Sequence, residues 1–184
     1  MTDAGPPSDH VDLVLAQWAR QRPDLDVSPM AVIGRLRRLT RLLDTELRRT
    51  FAEHGLDTAS FDMLATLRRS DPPHRLTPAR LMQTSMVTSG AVSQRLDRLE
   101  AAGLVARTRS TDDARVVHVA LTARGRELID RALPDHVANE HRLLAALGAD
   151  DRAALAGTLR TLLLSLGDDA PEEPRPDRGG PDRG

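Results

Sequence analysis

The sequence predicts a mostly α-helical fold that carries a winged helix-turn-helix with a small β-hairpin as its wing. The most direct signal comes from residues 76–121, where Thr77-Pro78 favours a helix start and Gly103 favours a helix end. Between them, residues 84–87 fit a turn. Residues 104–109 and 116–121 then alternate apolar and polar side chains, as strands do. A helix, a turn, a second helix and a hairpin together suit a DNA major groove.

Three helices are predicted before this block. The first begins at Ser8 or Asp9 and shows apolar side chains at helical spacing that end at Trp18, the only tryptophan. Ser28 is expected to cap the second helix, which starts with Pro29 and ends before Gly55. Asp57 or Thr58 is expected to cap the third helix, over residues 59–69.

Two more helices are predicted after the wing. Thr122 can cap a helix that extends to about residue 147, and Pro134 is expected to kink or split it because proline removes one backbone hydrogen bond. Residues 150–166 form the last helix, with leucines at helical spacing. The final residues have no apolar content and predict a solvated tail.

These elements divide the chain into five segments. They are an N-terminal extension with an added helix (1–29), a dimerisation helix (30–57), a winged helix-turn-helix DNA-binding region (58–121), C-terminal dimerisation helices (122–167) and a disordered tail (168–184). The apolar faces of the terminal helices exceed what a small winged domain can cover. We therefore expect a two-fold homodimer formed by these helices, the alternative being a monomer that folds them back on itself.

Composition excludes several classes of protein. The chain has no cysteine, which rules out disulfides and thiolate metal sites, and all 26 of its basic Lys and Arg residues are arginine. No apolar run approaches a membrane span and no signal peptide is evident, so the sequence predicts a cytoplasmic protein without a membrane partner.

No Gly-rich phosphate loop or nucleophile elbow is present, so neither an enzyme nor a cofactor is expected. Metal sensing through histidines and carboxylates stays open, although His136 and His141 are five apart and do not share a helix face.

The net charge of −1 does not by itself indicate a nucleic-acid partner, but the charges are distributed unevenly. Residues 68–115 contain nine arginines against five acidic residues, an excess of four positive charges. This asymmetry favours a basic face on the winged region.

The second helix of the motif has an apolar stripe of Val92, Leu96 and Leu99 and an opposite face of small polar side chains. Small residues with hydroxyl and amide groups suit an approach to base edges, whereas arginines on the wing suit phosphates. The predicted double-stranded DNA contacts are Ser89, Gly90, Ser93 and Gln94 at bases or nearby phosphates, and Arg98, Arg109 and Arg115 at the backbone. Asp113 is expected to orient Arg115 across the wing turn. The alternative is a winged module that binds protein and never contacts DNA.

The motifs LT-P-RL, SGAVSQRLDRLEAAGLVAR, DDAR and LTARGREL resemble the MarR family of bacterial transcription regulators over about residues 30–166. The added helix with its tryptophan, followed by RPDLDVSPMAVIGRLRRL, is similar to a branch that includes urate-responsive and trans-aconitate-responsive regulators. The resemblance implies a dimeric repressor that releases a pseudo-palindromic operator when a small anionic metabolite binds.

The resemblance also implies a ligand site. In this branch the site is formed by a tryptophan of the added helix, an aspartate and an arginine of the third helix, and an arginine at the start of the wing; an arginine of the recognition helix acts as a relay. The matching residues here are Trp18, Asp62, Arg69, Arg107 and Arg95. Independently, a carboxylate among the apolar neighbours of Asp62 is costly to bury unless it is paired or functional. Urate or a related purine is the first candidate effector and trans-aconitate the second.

Structural roles remain alternatives for each of these residues. Trp18 can serve as the anchor of a core helix, and Asp62 can pair with an arginine of the first long helix, such as Arg35 or Arg38. Arg95 and Arg107 can simply contact phosphate.

Overall fold

The computed structural model describes residues 8–86, 92–111, 113 and 115–169. These residues form seven helices and a small antiparallel sheet, in the following order: α1 (His10–Gln21), α2 (Pro29–Glu53), α3 (Thr58–Arg69), β1 (Arg75–Leu76), α4 (Pro78–Thr84), α5 (Val92–Ala101), β2 (Val105–Arg109), β3 (Val117–Leu121), α6 (Ala123–Leu143) and α7 (Ala149–Ser165). Helices dominate and the sheet is small, so the predicted fold class is confirmed.

Side-chain caps explain where most helices begin. The Asp9 carboxylate accepts hydrogen bonds from the backbone N–H groups of Val11 and Asp12, and the Asp12 side chain accepts one from the backbone of Asp9. The hydrogen bond from the Asp12 backbone is the main reason that the pKa of Asp9 lies below its ordinary value. A reciprocal pair of this kind satisfies two N–H groups that the helix itself cannot satisfy.

Three further helices are capped by the predicted residues. Asp57 accepts from the Ser60 N–H, and the hydroxyls of Thr77 and Thr122 cap α4 and α6. The expected cap at Ser28 is wrong, because its side chain makes no capping hydrogen bond. Helix α2 instead begins with proline, whose fixed φ is already suited to a helix and which has no N–H to satisfy.

The sheet has three strands in the order β1-β3-β2, one more than the predicted hairpin. Strands β2 and β3 form that hairpin, with Arg107 opposite Val119 and Arg109 opposite Val117. Strand β1 pairs with the other edge of β3, Leu76 opposite Val119. It spans only two residues, so it is too short to show the alternation by which strands are recognised.

Helix α3 lies at the centre of the core. Its residues Leu64 and Leu67 are 0% exposed and Met63 is 1% exposed. The surrounding apolar residues come from every element of the winged motif and from α6, among them Leu81, Leu96, Val105, Val119 and Ile129. The two helices of the motif and the wing therefore rest on one buried helix.

Helix α6 extends as one helix from Ala123 to Leu143, so of the two predicted effects of Pro134 the split is wrong and the kink stays a prediction. This helix packs along α2, and the ring centroid of His136 lies 5.3 Å from that of Phe51 on α2. Asn139 and Arg142 also bind α2 through Glu46. The long helices α2 and α6 thus form one scaffold beside the winged motif.

Large apolar side chains remain exposed on the terminal helices. Helix α7 has no buried residue, and Leu163, Leu164 and Leu166 are 49%, 51% and 75% exposed. Val32 and Leu42 of α2 are 56% and 54% exposed. Among the helices of the described ranges, none combines the length and the apolar character needed to cross a bilayer.

Gly125 marks the closest approach between α6 and the winged motif. A Cβ atom at this position would lie 1.9 Å from the backbone oxygen of Leu104. We expect Gly125→Ala to lower the free energy of unfolding by about 1–3 kcal/mol, because the backbone must shift to admit the methyl group. Urea denaturation at fixed protein concentration measures this change.

The matched control is Gly157→Ala in α7, where no described atom beyond the adjoining residues and the nearby backbone of α7 lies within 4 Å of the added Cβ. Alanine is the better helix former, so this variant should keep or raise the free energy of unfolding by up to about 1 kcal/mol. Equal losses in the two variants would contradict the close approach at Gly125.

Candidate functional site

Helix α5 presents a polar face away from the core. Leu96 and Leu99 are buried, whereas Ser93, Gln94 and Arg98 are exposed. This division follows the predicted one. The predicted base contacts Ser89 and Gly90 lie outside the described residues. What the structure presents is a surface of hydroxyl, amide and guanidinium groups on the second helix of a helix-turn-helix.

The hairpin carries two exposed arginines beside this face. Arg109 ends β2, and the side chain of Arg115 is 91% exposed in the turn. The Asp113 carboxylate accepts from the backbone N–H of Arg115 at 2.9 Å and from its Nε at 3.2 Å. These two hydrogen bonds hold the pKa of Asp113 below its ordinary value, and the bond from the Arg115 backbone contributes most. Asp113 therefore restrains both the wing turn and the arginine side chain.

Arg107 binds the wing to α5. Its Nη1 donates to Asp97 at 2.6 Å and to Glu100 at 2.8 Å, and its backbone N–H donates to Glu100 at 3.1 Å. The hydrogen bond with Asp97 is the main cause that raises the pKa of Arg107. A ligand that used this guanidinium would compete with two carboxylates. Sequence reasoning missed both acids, although their i, i+3 spacing already places them on one face of the helix.

Arg95 lies on the same helix but is directed elsewhere. Its charge and that of Arg98 act on Asp57, the residue that caps α3. Burial raises the pKa of Asp57, but hydrogen bonds from Ser60 and these two positive charges outweigh it, and the net shift is downward. Arg95 is thus half-buried near the start of α3.

Asp62 is buried on α3 and holds the segment that leads into α5. It is 8% exposed, and its Oδ2 accepts from the backbone N–H of Met86 at 2.8 Å. Arg35, one of the partners considered for it from the sequence, instead donates to Asp9 and Asp12. The carboxylate at this position thus satisfies a backbone group 24 residues away.

Arg69 holds the same segment. Its Nη2 donates to the backbone oxygen of Thr84 at 2.7 Å. Asp62 and Arg69 lie two turns apart on α3 and act on residues 84–86, one as acceptor and one as donor. We call residues 84–86 the α4–α5 turn segment. The sequence identified Asp62 and Arg69 as candidate site residues. It did not predict their contacts with the α4–α5 turn segment, because those partners are main-chain atoms.

Trp18 lies on α1 and is 41% exposed. Helix α1 rests on α2 through Val11 against Gly34 and through the ion pairs of Arg35. The clefts on the described surface include ones of about 430, 430 and 350 Å³. Arg69 lines one of them, whereas Trp18, Asp62, Arg95 and Arg107 line none of the three. The structure therefore brings Asp62 and Arg69 to one segment, while the assignment of all five residues to a common ligand site stays a prediction.

No group of three or more histidine, aspartate or glutamate side chains in the described ranges is placed to hold a metal ion.

Comparisons with known proteins give one consistent family. A family model described as "MarR family" matches residues 54–116. The HTH-type transcriptional regulator PecS of Dickeya dadantii (strain 3937) is 38% identical over 146 residues, which cover 79% of this chain and 88% of PecS.

Solved structures give the same result. Sco3205, a MarR family transcriptional regulator from Streptomyces coelicolor in complex with DNA, superposes with a TM-score of 0.70 at 25% identity, covering 80% of this chain and 97% of that one. A cysteine-to-serine variant of MarR from Escherichia coli, complexed with operator DNA, superposes with a TM-score of 0.64 at 27% identity, covering 76% and 99%.

The role of Asp62 in holding the α4–α5 turn segment can be tested by two substitutions. Asp62→Ala removes the acceptor and leaves the Met86 N–H without it, so we expect the free energy of unfolding to fall by about 1–3 kcal/mol. Asp62→Asn retains an oxygen that can accept from the same N–H and should lose clearly less. Denaturant unfolding together with amide hydrogen exchange at Met86 measures both effects. Equal stability of the alanine and asparagine variants, with unchanged exchange at Met86, would contradict the role.

Proposed function

The chain belongs to the MarR family of transcriptional regulators, and from this membership we propose that it is a dimeric repressor that a small anionic metabolite releases from its operator. The observation that carries the proposal is the exposed face of α5, with Ser93 and Gln94 beside an arginine-bearing wing. The DNA complexes of Sco3205 and of the Escherichia coli MarR variant, which share this fold, support duplex DNA as the partner.

In the proposed complex, α5 enters the major groove. Ser93 and Gln94 contact base edges, since hydroxyl and amide groups can donate and accept there. Ser89 and Gly90 are assigned to the same edge from the sequence alone. Arg98, Arg109 and Arg115 contact phosphates, which supplies affinity and register but no sequence information.

A second copy of the chain is the proposed occupant of the exposed apolar faces. The leucines of α7 and the apolar residues of α2 are too exposed for a monomer in water, and both helices lie outside the winged motif. A two-fold dimer that buries them would place two α5 helices about one DNA turn apart. Such a dimer would read a pseudo-palindromic operator.

The effector is proposed to act on the residues that hold α5. Arg69, Asp62 and Arg107 each connect this helix or its approach to another element. A planar anion that accepts hydrogen bonds from Arg69 and Arg107 would change both connections, while Trp18 contributes a stacking surface and Arg95 relays the change. Asp62 would accept a ring N–H, which favours urate or a related purine over trans-aconitate. The ligand shifts the equilibrium only by the difference of its affinities for the two states.

The DNA-binding proposal is tested with a labelled fragment of the protein's own upstream region. Arg115→Ala should weaken binding to all sequences alike and reduce the salt dependence by about one counterion. Gln94→Ala should cost about 1–3 kcal/mol on the operator and little on unrelated DNA. The control is Arg48→Ala, an exposed arginine of α2 paired with Asp44.

Two results would count against this assignment. A sequence-selective loss in the Arg115 variant would exclude the backbone role. Absence of salt-dependent binding in the unmodified protein would favour a winged module that binds protein instead.

The effector proposal is tested by intrinsic fluorescence, since Trp18 is the only tryptophan in the chain. Titration with urate should give a saturable change in emission, and the same concentrations should release operator DNA in a mobility shift. Arg69→Gln should weaken both effects, and Arg48→Gln should leave both unchanged. Unaltered emission and unaltered operator binding with urate, xanthine and trans-aconitate would remove the proposal.

A further inference from the structure

An open cleft of about 430 Å³ lies where the carboxyl-terminal end of α3, strand β1 and α4 meet. Three guanidinium groups line it, from Arg69, Arg75 and Arg80, against the single carboxylate of Asp71. The charged groups that line the cleft therefore sum to +2. Pro72 and Pro73 form part of its wall, and their fixed φ angles make that wall stiff.

Two of the three arginines in this cleft, Arg69 and Arg75, have no acidic partner within the described ranges. Arg69 donates to a neutral backbone oxygen, that of Thr84. A guanidinium stays ionised at any physiological pH and binds phosphate or carboxylate groups through paired N–H donors. Such a concave, positively charged surface attracts anions.

Thr66 supplies a second and independent observation. This residue lines the cleft and is 2% exposed, and its hydroxyl has no hydrogen-bond partner among the described residues. Buried polar groups are nearly always hydrogen-bonded, because an unpaired one loses its hydrogen bonds to water and gains none within the protein. An unpaired buried hydroxyl beside a cationic cleft can donate a hydrogen bond to an anion that binds there.

We propose that this cleft binds a compact polyanion, a small molecule with two or more phosphate or carboxylate groups. The guanidinium groups of Arg75 and Arg80 bind its charged ends, and the Thr66 hydroxyl donates to one of its oxygens. A concave cleft of this volume encloses a small molecule, whereas a duplex backbone presents a convex surface to the protein. Neither Trp18 nor Arg107 lines the cleft, and Arg69 is the one residue that it shares with the effector site proposed above.

We expect an anion bound in the cleft to affect the position of α5 through Arg69. An anion that accepts from this guanidinium competes with the Thr84 oxygen and loosens the α4–α5 turn segment, which weakens operator binding. This second step depends on the proposed DNA-binding function. The binding step does not depend on it.

Isothermal titration of the full chain with pyrophosphate, at constant ionic strength maintained with NaCl, tests the binding step. We expect one site per chain. Arg75→Gln should weaken binding at least tenfold, and Arg48→Gln on α2 should leave it unchanged. Thr66→Val should also weaken binding, yet the same variant should raise the midpoint of thermal unfolding because it removes an unpaired hydroxyl. A merely structural hydroxyl would not give this combination.

Two kinds of result would overturn the proposed small-molecule site. No saturable binding, or equal binding by the Arg75 and Arg48 variants, overturns the site. If duplex DNA displaces pyrophosphate and Arg75→Gln weakens DNA binding as much as Arg115→Ala, the cleft binds the DNA backbone and the small-molecule proposal is wrong.

The coupling is read from a mobility shift with pyrophosphate present. We expect at least a fivefold loss of operator affinity in the unmodified protein and a smaller loss in Arg75→Gln. Pyrophosphate binding without an effect on operator affinity overturns the coupling through Arg69. Saturable pyrophosphate binding by a protein that binds no DNA would count against the proposed function and leave the site intact.

Discussion

The position of the recognition helix depends on one buried carboxylate. Asp62 is 8% exposed and lies in α3 at the centre of the core, where an isolated charge would cost on the order of several kcal/mol. The Met86 N–H that it accepts from belongs to the segment just before α5. This hydrogen bond helps to compensate the buried charge, and it also helps to position the segment. It is therefore one of the interactions that connect the core helix to the DNA-reading helix.

Helix α5 is held on two sides by chemically different contacts. On the side of α3, Asp62 and Arg69 bind main-chain groups of the α4–α5 turn segment. On the side of the wing, Arg107 binds two acidic side chains of α5. Leu96 and Leu99 fix the helix on the core between these contacts. Because the wing and α5 share Arg107, a displacement of one is expected to carry the other, which makes the reading unit respond as a whole.

The sequence predicted what local chemistry determines. Asp57, Thr77 and Thr122 cap helices as expected, because a cap and its N–H partner lie within three residues. The stripe of Leu96 and Leu99 was found because helical periodicity repeats it. Strand β1 was missed, since two residues carry no period and their pairing with β3 spans more than 40 positions.

The candidate site shows the same limit. The side chains of Asp62, Arg69 and Arg107 were identified, but the assignment to a common ligand site remains a prediction. Their partners in the structure were not foreseen. For Asp62 and Arg69 these are backbone atoms, which every residue possesses and no sequence pattern marks. Only for Arg107 does the sequence carry a signal of its partners, which is the i, i+3 spacing of Asp97 and Glu100.

The pairing of Arg107 also bears on how a repressor can be switched. Asp97 belongs to the polar face of α5 and its side chain is 64% exposed, so without compensation it would repel the phosphates that the helix approaches. A carboxylate and a phosphate about 8 Å apart repel by about 2 kcal/mol at an effective dielectric constant near 20. Arg107 offsets that repulsion while it binds Asp97. In the proposed switch, an anion that draws Arg107 away would expose the charges of Asp97 and Glu100 to DNA, so it would weaken DNA binding even if α5 did not move. The proposed effector would then act through the charge that α5 presents to DNA as well as through the position of the helix.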